Sequence, residues 1–485
     1  MPYLRHPYVL RPHQASIIGE LVLRVRRDGG TILADEMGLG KTLTSLVVSH
    51  ECNSGVGYVL VIAPLCGIST WRGEIEGKIE GGLVIEMGSK EEGYIGTRSG
   101  GYILVTYDRL CSIYEKRRDF FDALMKYVKF MIVDEAHYIR NPRTRRYGVV
   151  RSIPDGIPRL VMTGTLLCNR LEDVCSLASI AIPTKPYGEI KFLREHLGEF
   201  RAEHVIMRKK SEVSGLGLPE CTVERIIRPM TEWESVAYHG YLAGPVRQAY
   251  ERLMCVLSTG DPVAIRRAFD VYNGSIRVLG MMTLHPELGL LTEAKKRGLD
   301  PESIYEYLIG CASTKMGLIM GALVAVVTSG GGKVVVASSS VVFLELLAYW
   351  GHRYHGIRGS IYDGTKTSKQ RSTILGMYKG GGLDVLYVST GACSVSVDLV
   401  GAGHMIICDT CLNPSMELQM IGRCHRMGMT CALRVYRVEM ARTLDEVLVD
   451  TVHACKKNNM KAIESGGVGY GLVDLRGIYP LLNVN

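Results

Sequence analysis

The stretch TILADEMGLGKTLTSLVVS, residues 31–49, decides how the chain is read. Its first five residues have the β-branched, apolar character of a buried strand. Its last seven continue as an amphipathic helix, so DEMGLGK occupies a strand-to-helix turn. Successive backbone N–H groups in such a turn, together with the helix N-terminus, can cradle phosphate oxygens. Gly38 and Gly40 permit close backbone approach, Lys41 would reach the β- and γ-phosphates, and Thr42 would ligate Mg²⁺. The common pattern asks for glycine five positions before Gly40, where this chain has Asp35. That first glycine mainly eases the turn, so its loss does not exclude a nucleotide site.

A second stretch resolves the choice between a phosphate loop and an ordinary glycine turn. FMIVDEAH, residues 130–137, ends a buried strand on Asp134 and Glu135. A phosphate-loop ATPase needs a strand-end acid to hold Mg²⁺ and a neighbouring carboxylate to polarise the attacking water. Asp134 and Glu135 suit these roles. Much later, Gln419-Met-Ile-Gly-Arg423-Cys-His-Arg426-Met-Gly428 places two arginines three apart. On a helix they would share a face and could stabilise charge on a transferring phosphoryl group.

Short apolar runs set the architecture. TILAD, YVLVIAP, GLVIEM, YILVTY, FMIVDE and RLVMTG recur through residues 31–164, and KVVVASS, DVLYVST, HMIICDT and LRVYRV through 333–438. They are continuous rather than alternating, as strands buried on both faces are, and helix-like segments separate them. Two parallel-sheet α/β lobes follow, with a strand-poor, helical region between them. At 485 residues and 47% hydrophobic content the chain is long enough for several cores. No run approaches the ~20 apolar residues that span a bilayer, and the N-terminus has no apolar signal region. The 14 cysteines are scattered and suit a reducing, intracellular setting. A net charge of +8 is compatible with a polyanionic partner without demanding one.

With these motifs in their order, the chain resembles the SWI/SNF-type DNA translocases, a branch of helicase superfamily 2, over residues 9–455. DEMGLGKT is that family's loop, Asp35 included. The resemblance implies two RecA-like lobes with helical insertions, an interlobe ATP cleft, ATP and Mg²⁺ as cofactors, and double-stranded DNA as partner. It implies ATP contacts from Gln14 in LRPHQ and from Glu36, Met37, Gly38, Leu39, Gly40, Lys41 and Thr42. Catalysis falls to Lys41, Asp134, Glu135, Arg423 and Arg426, with Thr42 and Asp134 on the metal. His137, Thr163, Thr165 and Gln419 would couple hydrolysis to movement. Trp71 in VIAPLCGISTWRGEI, Thr106 and Tyr107 in ILVTYDRL, and Arg371 after IYDGTKTSKQ match DNA-contacting elements. Arg140 and Asn141, opening the basic run to Arg146, are candidates for the same surface.

The sequence departs from the family at Leu166, Cys168, Cys393-Ser394, Ser396 and Met429. These departures fall on coupling elements and spare the catalytic set, so hydrolysis is expected to be intact. The expected organisation is a first lobe over 1–205, a helical protrusion over 206–310, a second lobe over 311–460 and a tail over 461–485. The expected protein is a stand-alone, monomeric motor core without membrane attachment, brought to its site by a recruiting protein or by DNA structure. It would hydrolyse ATP on duplex DNA, translocate and displace bound complexes. Two alternatives stand beside this: a strand-separating helicase acting on DNA or RNA, and a nucleotide-dependent DNA-binding module with weak motor activity.

Overall fold

The computed structural model describes residues 4–53, 57–96, 99–164, 171–393, 399–455, 458 and 478–482. The chain separates into two units, one running to Gly217 and the other beginning at Leu218.

The first unit is built on a parallel sheet of order β3-β4-β2-β5-β6-β1-β7. Its strands are β1 (Gly30–Leu33), β2 (Gly57–Ala63), β3 (Val84–Glu86), β4 (Gly100–Thr106), β5 (Val128–Val133), β6 (Arg159–Met162) and β7 (Val205–Ile206). The six apolar runs expected there are the first six strands. Both faces are covered. Ile17, Leu21, Leu46, Val47, Trp71 and Ile75 pack on one side, from helices Pro12–Asp28, Lys41–Asn53 and Ile68–Lys78. Leu110, Phe121, Leu124, Val174 and Leu177 pack on the other. A strand with an apolar layer on each side has no solvent face to alternate toward. In register, Leu33 pairs with Met162 and Val133 with Val161. The ends of β1, β6 and β5 therefore lie side by side at the carboxyl edge, where such sheets bind ligands.

The second unit repeats the plan with the order β10-β11-β9-β12-β13-β8, again parallel. Its strands are β8 (Cys221–Arg228), β9 (Lys333–Ser338), β10 (Gly359–Tyr362), β11 (Val385–Ser389), β12 (Ala402–Ile407) and β13 (Leu433–Met440). The region expected as a helical protrusion over 206–310 is thus divided. Ile206 stays in the first sheet, and 221–228 forms the edge strand of the second, paired with β13 from Cys221↔Leu433 to Arg228↔Met440. An edge strand is half solvated, so Glu224 and Arg225 interrupt the apolar run and hide it from a search for buried strands. Helices occupy the rest, from Glu232–Tyr241 to Glu302–Gly310. Among the described residues no single helix is long and apolar enough to cross a membrane.

Candidate nucleotide site

The loop after β1 has the backbone that its glycines permit. Gly38 (φ 95°) and Gly40 (φ 81°) both stand in the left-handed region, which a side chain would penalise. The helix starting at Lys41 then aims its N-terminus into the loop. Lys41 Nζ donates to the carbonyl oxygen of Asp35 at 2.6 Å and reaches that of Glu36 at 3.5 Å. Gln14 is buried: its Oε1 accepts from Arg11 N (3.1 Å) and its Nε2 donates to Gly40 O (3.0 Å). Gln14, expected as an adenine contact, ties the loop to the first helix through the two ends of its amide. Met37 and Leu39 are buried, and Thr42 and Glu36 are partly exposed.

Asp35 is also buried, and its partner is Arg208. Arg208 donates to Asp35 through its backbone N (3.1 Å), its Nε (3.1 Å) and one terminal nitrogen (2.5 Å). The neighbouring pair repeats the arrangement: Glu36 N donates to Arg208 O (2.9 Å) and Lys210 N to Glu36 Oε2 (2.8 Å). The position where the common pattern has glycine is an anchor in this chain.

β5 ends on the two acids. Asp134 has its carboxylate engaged by Trp71 Nε1–H (2.8 Å) and by the backbone N–H of Glu135 (2.9 Å), while Tyr107 donates its hydroxyl to Asp134 O (2.6 Å). Burial, and then the charge of Glu135, push the Asp134 carboxyl up to about 6, against the pull of Trp71 and Lys41. Glu135 takes the left-handed backbone (φ 48°), which costs a non-glycine residue about 1–2 kcal/mol, and sets its Oε2 3.2 Å from His137 Nδ1. β6, lying between β5 and β1, is followed by buried Thr163, whose N donates to Leu33 O (3.1 Å). Gly164 follows. A Cβ there would stand 2.7 Å from Met37 Cγ and 3.8 Å from Lys41 Nζ, so the absent side chain keeps a space beside the lysine. Thr165, Leu166 and Cys168 lie outside the described residues.

In the second unit, helix Pro414–Cys424 carries buried Gln419 and Arg423. The helix stops at Cys424, so Arg426 is not on it, and the two arginines do not share a helical face as expected. Arg426 Nε donates back to Gly422 O (3.0 Å), and the chain turns through Gly428 at φ 94°. His425 Nε2 bonds Pro219 O (2.8 Å), tying this corner to the start of β8. Met429, where the family has glutamine, is a core residue. Ser394 and Ser396 lie outside the described residues.

Residues 13–259 match the SNF2-related domain and residues 315–428 the helicase conserved C-terminal domain. The chain belongs to the SNF2-related family. It is 25% identical to the chromodomain-helicase-DNA-binding protein 1-like of Danio rerio over 482 residues, 94% of this chain and 44% of that one. It is 26% identical to the DNA repair and recombination protein RAD54-like of Homo sapiens, over 94% of this chain and 66% of the relative. The chain therefore spans less than half of the first relative and about two thirds of the second. Among solved structures, the Sulfolobus solfataricus SWI2/SNF2 ATPase core in complex with dsDNA aligns with 99% of this chain at 20% identity and a TM-score of 0.41.

Several residues of this SNF2-related chain expected to touch DNA are placed differently. Trp71 is 1% exposed and Tyr107 3% exposed, both turned inward to Asp134, so neither ring is available to a phosphate backbone. Thr106 caps helix Tyr107–Lys116, its side chain accepting from Arg109 N (3.1 Å). Asn141 is exposed and Arg140 half-buried, while Arg146 further along the run forms a two-point pair with Asp108 at 2.8 Å. Arg371 donates to Lys366 O (2.9 Å). Arg208, Lys210 and Gly164 were missed as site residues. A buried aspartate in a phosphate loop calls for a cation, and the Arg-Lys-Lys run at 208–210 was the available signal.

Proposed function

We propose that this SNF2-related chain is an ATP-driven motor that hydrolyses ATP on duplex DNA and moves along it, displacing bound complexes. The observation that carries the reading is the convergence of Lys41, Asp134 and Gly164 at one sheet edge, in a unit whose counterpart bears Arg423. The residues fit ATP and Mg²⁺. A left-handed glycine loop offers N–H groups, a lysine rests on the loop's own carbonyls, and the strand-end carboxylate of Asp134 stands beside a second acid, Glu135. Lys41 and the loop would hold the phosphates, and Thr42 and Asp134 the metal, which when bound neutralises phosphate charge. Glu135, with its left-handed backbone and His137 beside it, would orient the attacking water. Arg423 and Arg426 would supply positive charge to the transferring group. Phosphate contacts give affinity without sequence readout, which suits a motor that must pass any sequence.

Steady-state ATP hydrolysis with no nucleic acid, duplex DNA, single-stranded DNA and RNA tests the proposal, with Lys41→Ala as control. Stimulation by duplex, lost in the variant, is expected. Stimulation confined to single strands or RNA would favour a strand-separating helicase, and DNA binding with flat hydrolysis would remove the motor.

A further inference from the structure

Asp134 is held from outside its own loop by two donors. Trp71 sits on helix Ile68–Lys78, reached from the end of β2, and Tyr107 opens helix Tyr107–Lys116, reached from the end of β4. The indole N–H meets the carboxylate at 2.8 Å and the phenol meets the backbone carbonyl at 2.6 Å, so one aromatic donor reaches the side chain of the acid and the other its main chain. Both rings are buried, and each is next in sequence to an exposed residue: Thr70 before Trp71, Asp108 after Tyr107. Tyr107 also stacks on Tyr138 (centroids 5.6 Å), which Arg146 covers at 5.4 Å while pairing with Asp108. Inward donors and outward polar residues thus alternate on the two segments that resemble DNA-following elements.

We propose that Trp71 and Tyr107 are positioning residues for Asp134, a two-point clamp through which the segments around residues 65–72 and 106–110 set the acid's place, and that they are not DNA contacts. The proposal rests on the motor reading for its purpose, since a surface segment engaged by DNA would shift the clamp, but the clamp itself is testable without DNA. Partners of metal-holding groups commonly change metal affinity or activity by about 10–100-fold when lost.

Trp71→Phe and Tyr107→Phe each keep a ring and remove one donor. Binding of a fluorescent ADP is measured as Mg²⁺ is titrated, alongside thermal melting, duplex affinity by anisotropy, and the separate kcat and KM of hydrolysis. The expected result is unchanged duplex affinity and a Mg²⁺ requirement raised about tenfold in Trp71→Phe, less in Tyr107→Phe, with kcat reduced more than KM is raised. A loss of duplex affinity at an unchanged Mg²⁺ requirement would make these residues DNA contacts and overturn the clamp. So would wild-type behaviour in both variants. If Trp71→Phe does not fold, Tyr107→Phe carries the test alone. Wild-type protein that ignores DNA would sink the motor reading and leave the Mg²⁺ result standing on its own.

Discussion

Arg208 grips Asp35 through one edge of its guanidinium, Nε and a terminal nitrogen, at 3.1 and 2.5 Å, across 173 residues of sequence. The carboxylate is almost wholly buried, and one more donor, the backbone N–H of Arg208, completes its shell. Removing the guanidinium leaves a buried charge without its partner. Arg208→Ala is expected to cost roughly 3 kcal/mol, at the low end for a broken buried pair because the arginine keeps some solvent contact, and to weaken ADP binding. Arg208→Lys recovers little, since an ammonium cannot reproduce the fork. Chemical denaturation of Arg208→Ala, Asp35→Asn and the double variant checks this: a coupling above about 1 kcal/mol is expected, and additive effects would contradict it.

Gly164 is needed for the space it leaves. In Gly164→Ala the new methyl meets Met37 Cγ at 2.7 Å, so the loop must give way, at about 1–3 kcal/mol. Weaker ADP binding is expected, with recovery in Gly164→Ala/Met37→Ala, where the obstructing chain is shortened. No recovery would mean that the glycine acts through its backbone and not through the gap.

Lys315 and Asp445 form a fully buried pair in the second unit, 2.7 Å apart, with Met440 N also donating to the carboxylate at 3.1 Å. Lys315→Ala strands the aspartate and is expected to lose roughly 3–5 kcal/mol. Lys315→Met/Asp445→Leu should regain most of it, read from denaturant midpoints, because apolar replacement removes both desolvation costs together.

His285 is expected to make stability fall in mild acid. It is buried, with Nδ1 accepting from Glu287 N (3.1 Å) and Nε2 donating to Cys311 O (3.1 Å), which fixes the neutral ring. Burial lowers its proton affinity, against the hydrogen bond to Cys311 and the nearby Glu287 and Glu234. Between the folded value and about 6.5 the unfolded chain binds the extra proton, so the contribution is intact above about pH 6.5 and lost below it. The melting temperature should drop on going from about pH 7 to 5, and His285→Gln should flatten that slope. An unchanged slope would show that other groups govern it.

The loop and the strand-end acids were legible because their chemistry is local: a turn between strand and helix constrains its own residues, and Gly38, Gly40, Lys41 and Asp134 stand as their spacing implies. Direction was not legible. Trp71 follows an exposed threonine on a short helix, and sequence order alone does not say which of two neighbours turns inward. The arginine motif failed at its boundary, since Arg423 is helical and Arg426 is not, although Gly428 two residues on was a stop signal. The pairing of Asp35 with Arg208 lies beyond any single window, because its two halves meet only once β7 has joined β1.

The chain also shows where it can be divided. A fragment ended at residue 205 would carry the phosphate loop yet leave behind Ile206, Arg208 and Lys210, the residues that complete its sheet edge and hold its aspartate. One started after Pro219 would forfeit the carbonyl that receives His425. Safe severance lies between Glu212 and Pro219, where left-handed Gly215 and Gly217 already break the regular backbone. Separately expressed halves, or an inserted reporter domain, should be joined at that window.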